Sequence, residues 1–402
     1  MDGRLTGEES ASFERHLGEC AGCREEVKRL RELDGLLVEA LGEEPEIDVR
    51  GSVERALEPR HTRHRVRWAA VGLAAAGLLV VAWLVGVSGP AEKANRRAIA
   101  DGTGWLIRTQ EADGHWDSKA HGSSFDFDMG VTGLSVLALM EAHEKTGATN
   151  ALAAASKGAD WLMAQEDGLG RFLRSHDQSR MYGQAVATLA LLRVYEERPD
   201  AQLRGSIERA LAFGVRAQSQ TGGWSYVPGI TADTSHTGWF VLVLARAKSD
   251  GFQVPETVLA DAVGYVNGMT DAEGRVSYDV VGRTSPGLGG TAIAVNAAVE
   301  KQIYPETVAC TAMQRVVKTT PDWNDRQQNL YLWFFASRGF EATRPSGEVT
   351  NWQRSLADTL VAHQERGQGA EFGSWCNNDT SQTDAGRVYA TALAVVCLAQ
   401  SR

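Results

Sequence analysis

Residues 218–247 read QSQTGGWSYVPGITADTSHTGWFVLVLARA, and the three parts of this stretch recur through most of the chain after residue 100. Gln218-x3-Gly222-x-Trp224 is a turn signature, a polar loop with Pro228 and Gly229 follows, and an apolar run opens at Thr237-Gly238. From residue 94 onward the pattern returns about every fifty residues, the mark of a repeat architecture. Each unit predicts a first helix ending near a Gln, a Gly-rich turn with an aromatic, and a second, apolar helix.

Unit one gives GWLIRTQEADGHW and then VTGLSVLAL, and unit two gives DWLMAQEDGLGRF and then AVATLALL. Unit four gives GYVNGMTDAEGRVSY and then GTAIAVNAAV; unit six gives DTLVAHQERGQGAEFGSW and then YATALAVVCL. Unit five is the most degenerate, with Gln314 to Lys318 followed by NLYLWFF. The second helices open on small residues: Thr132-Gly133, Ala187-Thr188, Thr237-Gly238, Thr291-Ala292 and Thr391-Ala392. Small side chains let helices approach closely, and apolar character nearly all round suits an inner ring covered on both sides. The first helices are more polar and fit an outer ring. Such pairs can also stack as an open superhelix; the turn chemistry favours a closed ring.

Gln110-x3-Gly114-x-Trp116 and Gln218-x3-Gly222-x-Trp224 resemble the QW motif of squalene and oxidosqualene cyclases, with looser copies at Gln165 to Phe172 and Gln364 to Trp375. A Gln amide can bond main-chain groups at a helix end while the aromatic covers it. Residues 96–402 therefore resemble the terpenoid cyclase/protein prenyltransferase toroid, and more closely the prenyltransferase/squalene-oxidase repeat proteins of bacteria. The carriers are GGWSY, DTSHTGWFVLVL, SYDVVGRTSPGLGGTAIAV, NLYLWFFASRGF and GRVYATALAV. The resemblance implies an all-α fold, an α/α toroid of about six helical hairpins.

In the cyclases of this family a D-x-D-D-T motif opens an inner helix, and its central Asp protonates the alkene. Here the corresponding residues are Asp233-Thr234-Ser235-His236-Thr237, so Ser235 stands where the resemblance puts the acid. Asp126-Phe127-Asp128-Met129 is a second acidic pair without a third Asp. A serine hydroxyl is too poor an acid for that step, which argues against proton-initiated cyclisation. Protein prenyltransferases hold zinc with an Asp, a nearby Cys and a distant His, and no D-x-C occurs in this chain. Asp233, His236, Asp126 and Asp128 are the candidate cavity residues, with Arg387 and Tyr389 also beside inner-helix starts. The alternative reading of the acids is as helix caps, since Asp is a favoured N-cap.

The other end of the chain differs. Trp68 to Val87 is twenty residues without a charge, about the 30 Å of a bilayer core at 1.5 Å per residue, and predicts one transmembrane helix. Arg60, Arg63, Arg65 and Arg67 precede it, while Lys93, Arg96 and Arg97 follow further off. The positive-inside rule then puts residues 1–67 in the cytoplasm and 88–402 outside a bacterial cytoplasmic membrane. Residues 43–67 are a charged juxtamembrane linker.

In residues 1–42, His16, Cys20 and Cys23 follow H-x3-C-x2-C, which on a helix puts three donors of the kind zinc prefers on one face. MDGRLTGEESASFERHLGECAGCREEVKRL resembles the zinc-finger domain of anti-sigma factors, which implies structural zinc on those three residues and a sigma factor as partner. That family continues upstream, where a fourth ligand can sit. Here Met1 falls where it has the residue before Asp-Gly, and the expectation is a misassigned start or a remnant domain. A net charge of -10 argues against a nucleic-acid surface, and five cysteines are too few for a disulfide scaffold. Cys310 and Cys397 read as core, Cys376 as a loop residue.

The sequence thus expects a membrane-anchored, anti-sigma-factor-like regulator whose toroid binds an apolar or peptide ligand or a protein. The alternatives are a tethered isoprenoid-processing enzyme and an extracytoplasmic structural role.

Overall fold

In the computed structural model, residues 89–174, 176–324, 328–341, 346–377 and 385–401 are described. The metal candidates His16, Cys20 and Cys23, the charged linker and the span 68–87 lie outside them. Among the described residues no helix is long and apolar enough to cross a membrane.

Twelve α-helices follow one another among the described residues: α1 Pro90–Arg108, α2 Asp128–Thr146, α3 Thr149–Ala164, α4 Arg180–Glu197, α5 Ala201–Arg216, α6 Thr234–Ser249, α7 Glu256–Gly268, α8 Gly289–Glu300, α9 Val308–Val316, α10 Leu330–Glu341, α11 Gly347–Ala362 and α12 Gly386–Gln400. No strand occurs among the described residues, only isolated bridges such as Trp224 to Asp233. Even-numbered helices pack on one another in order, and α12 returns onto α2 while α11 meets α1. The chain therefore closes as six hairpins rather than running on as a superhelix. Inner helices are buried all round, and α6 buries every residue from Thr234 to Ala245. Outer helices bury one stripe, as in α5, where Leu203, Ser206, Ile207, Ala210, Leu211 and Gly214 recur at helical spacing.

The turns that opened the sequence reading hold the ring together. Gln218 Nε2 donates to Gly222 O at 2.6 Å within its own turn and to Val258 O at 2.9 Å on the next outer helix. Trp224 Nε1 donates to Gly214 O at 2.8 Å, occupying a carbonyl at the end of α5, while Trp224 N donates to Thr237 Oγ1 at 3.1 Å. Gln110 repeats this with Gly114 O and Ala154 O, and Trp116 with Leu106 O and Thr132 Oγ1.

Gln364 makes the same pair of bonds despite its longer loop, to Gly373 O and, across the closure, to Ala98 O, both at 2.8 Å. Unit two is solved differently from the sequence reading. Gln165 reaches only Trp161 O, at 3.4 Å, and Gln184 on the inner helix takes its place. Gln184 Oε1 accepts from Phe172 N and its Nε2 donates to Gly170 O, each at 2.9 Å, so one amide makes the within-turn bonds that Gln and Thr share elsewhere, without the Gln's bond to the next outer helix. The turn glycines Gly114, Gly170, Gly222, Gly274 and Gly373 all have positive φ and lie against main-chain atoms of the next outer helix.

Candidate functional site

Residues from the first turns of five inner helices line a cavity of about 340 Å³ at one end of the ring. Its wall is Phe127, Val131, Leu134, Tyr182, Val186, Trp239 and Tyr389, with hydroxyls from Ser179, Ser235, Tyr226 and Tyr331. That size and composition fit a small-molecule pocket. Among the described residues, the wall contains no Asp, Glu, Lys or Arg.

The opposite end of the inner ring carries a network of ion pairs. Arg193 on α4 meets Glu144 at 2.6 Å, Glu196 at 2.5 Å and Glu141 at 3.7 Å. Arg338 on α10 reaches Glu141 at 2.9 Å, and Arg246 on α6 bonds Glu196 and, at 2.8 Å, Asp250. Cations near helix C-termini also suit the helix dipole.

Asp233 stands two residues before Ser235, which lines the cavity, and both its oxygens are engaged. Oδ1 accepts from His236 N at 2.9 Å as the N-cap of α6, and Oδ2 lies 2.7 Å from His236 Nδ1. Both residues are buried. Tyr182 stacks on the imidazole at 3.6 Å between ring centroids, and Tyr226 meets it edge-on at 4.4 Å. Ser235 Oγ donates to Tyr331 Oη at 2.8 Å, which also contacts Thr291 Oγ1 at 3.1 Å. Burial, reinforced by the Asp233 charge, pushes the phenols of Tyr182 and Tyr278 above the usual tyrosine range, so they stay protonated donors.

If the carboxylate is a cap and a histidine clamp, Asp233→Ala removes both bonds. The expected loss is about 2 kcal/mol, one part cap and one part orphaned imidazole N–H. Urea unfolding followed by far-UV circular dichroism reads it, and a change under about 0.5 kcal/mol would refute the assignment.

Asp126 and Asp128 are not brought to the cavity, although Phe127 between them is. Asp126 Oδ1 accepts from Asp128 N at 3.2 Å, and Asp128 Oδ1 holds both the amide and the hydroxyl of Ser118 at 2.8 Å. These acids lock a loop. Arg387 lies apart, in a cleft of about 450 Å³ between the last unit and the first, with Glu371 at 3.0 Å and Ser374 at 3.0 Å. Tyr389 does line the central cavity. Cys310 and Cys397 are buried, and burial pushes the Cys397 thiol up to about 12. Cys376 is half-buried in that cleft.

The sequence reading missed Asp177. Its Oδ2 accepts from Met129 N at 2.7 Å and its Oδ1 from Ser179 N at 2.6 Å, so it caps α2 from the following unit. Ser179 Oγ accepts from Gly130 N at 3.1 Å beside it. Burial pushes the Asp177 carboxyl up against the pull of those bonds. No local pattern could have shown a cap lent from about fifty residues away.

Comparison with known proteins agrees with this fold. A zinc-finger family model matches residues 1–24. Drimenyl diphosphate synthase of Streptomyces showdoensis is 26% identical over 153 residues, which are 38% of this chain and 27% of that protein. The chain thus spans about a quarter of the length of that curated relative. Among solved structures, an inactive variant of an alpha-1,6-mannanase from Salegentibacter, in complex with alpha-1,6-mannotriose, aligns at TM-score 0.57 and 14% identity, over 76% of this chain and 98% of its own. A variant of the type II terpene cyclase MstE from Scytonema, in complex with geranylgeranyl dihydroxybenzoate, aligns at TM-score 0.55 and 11% identity, over 78% and 98%.

Proposed function

We propose that this chain is a membrane-anchored regulator whose toroid binds an uncharged, largely apolar ligand and whose N-terminal residues hold zinc and restrain a sigma factor. The observation that carries the binding half is the state of the cavity: Asp233 is spent on a cap and on His236, Ser235 stands in the acid position, and the described wall has no charged side chain. A site without an available acid suits recognition better than alkene protonation.

The zinc-finger match over residues 1–24 supports the regulatory half, because it takes in His16, Cys20 and Cys23. One imidazole and two thiolates are three of the four donors structural zinc takes. The uncharged run 68–87 supports a single crossing of a cytoplasmic membrane, with the N-terminus inside and the toroid outside. In the test, the full chain, purified in detergent, should carry zinc and co-purify with an extracytoplasmic-function sigma factor, and Cys20→Ser with Cys23→Ser should lose both. A zinc-free chain that ignores sigma factors would overturn this half.

A second reading is favoured by one finding, the identity with drimenyl diphosphate synthase. It makes the toroid a tethered isoprenoid-processing enzyme. Incubation with squalene or polyprenyl diphosphates separates the readings: unchanged substrate supports binding, and a cyclised or transferred product establishes the enzyme.

A further inference from the structure

We propose that Nε2 of His236 is the polar anchor of the central cavity, accepting a hydrogen bond from an O–H or N–H group of the ligand, and that Tyr226 is the ring that moves to admit it. The proposal rests on the binding reading above and specifies its chemistry. An ionised carboxylate can only accept, so the 2.7 Å contact with Asp233 Oδ2 assigns the ring proton to Nδ1 and leaves the Nε2 lone pair outward from that bond. Nε2 is buried and has no hydrogen-bond partner among the described residues. A buried acceptor left bare costs about 1–3 kcal/mol, so a ligand that supplies a donor recovers that cost.

Among the described residues, two rings separate this imidazole from the cavity they line, Tyr182 and Tyr226. Tyr182 is held on α4. Tyr226 is 48% exposed in the loop between Trp224 and Asp233, beside Val227 at 47% and Ile230 at 71%. It is the more exposed of the two and the ring assigned the movement, giving up its hydrogen bond with Tyr278 as it turns.

The same geometry limits the ligand's charge. No described cation lines the wall to pair with a phosphate. At three of the five inner helices, amides at the helix start that favour anions are already taken: Met129 N by Asp177, Gly130 N by Ser179, His236 N by Asp233 and Leu332 N by Asn329. The occupant is therefore an uncharged alcohol or amide with an apolar body.

Cyclododecanol and cyclododecyl methyl ether differ in the one proton that matters. Isothermal titration of the full chain in detergent should give at least ten-fold tighter binding for the alcohol. His236→Asn keeps a donor toward Asp233 but removes Nε2, and should bring the ratio of alcohol to ether affinity near one. Tyr226→Ala should speed association of the alcohol in stopped-flow. Equal affinities in the unmodified chain, a comparison that needs no variant to fold, overturn the anchor and leave the apolar-binding reading standing. Discrimination that survives in His236→Asn also overturns it. Binding of neither compound overturns both.

Discussion

Gly373→Ala should destabilise the toroid by about 4 kcal/mol, a large share of the total stability of a typical domain. Two costs add. Gly373 has φ +90°, where an L side chain is strained whatever the space around it. A Cβ there would also stand 2.3 Å from Asp101 O and 2.7 Å from the carbonyl carbon, both main-chain atoms of α1. A flexible side chain could bend away; a helix backbone cannot without moving α1 off the last unit. The same turn accepts from Gln364, whose amide also joins unit six to Ala98 O of unit one, so the strain falls on the closure. Gly268→Ala is the matched control, because it ends α7 with nothing within 4 Å and should be neutral or stabilising by up to about 1 kcal/mol. Urea midpoints at constant slope give both numbers, and similar values for the two would disprove the close-approach argument.

Arg193→Met should cost about 3 kcal/mol, because it removes the cation on which three carboxylates converge. Its side chain is 10% exposed and that of Glu141 is 11%, so solvent screens little of the interaction. Glu144, 68% exposed, can rehydrate; Glu141 keeps Arg338 but loses half its pairing, and Glu196 keeps Arg246. Part of the loss comes from Glu141, whose buried charge is left with Arg338 alone. Adding Glu141→Gln should therefore give back part of it in a double-mutant cycle. A single-variant loss below about 1 kcal/mol would show the network to be solvated and dispensable.

These two sites divide what the sequence made legible from what it hid. Gln110 and Gln218 with their glycines and tryptophans were readable, because each turn satisfies its own helix end at fixed spacing. Gln364 read as a looser copy, yet its longer loop leaves the bonding unchanged. Gln184 stayed hidden because an inner-helix side chain performs the turn's work, and Asp177 because it caps a neighbour's helix. The Asp233–His236 pair is three residues apart and could be read as a cap, but the Tyr182 ring stacked on it comes from another unit, and nothing in the spacing of Tyr226, in the loop of the same unit, shows that it meets the imidazole edge-on. Arg193, Glu141, Arg338 and Arg246 stand on four different helices, and no pattern along the chain foretells their meeting.

The return of α12 onto α2 has a thermodynamic corollary. Linear repeat arrays need special polar caps at their ends and melt from them inward. A circle has no terminal repeat, hence no flank to dress with polar residues and no place from which unravelling can creep. Opening one junction leaves every unit still held on its other side, so loss of structure must be concerted, and a ligand seated among five inner helices would report on the whole ring at once.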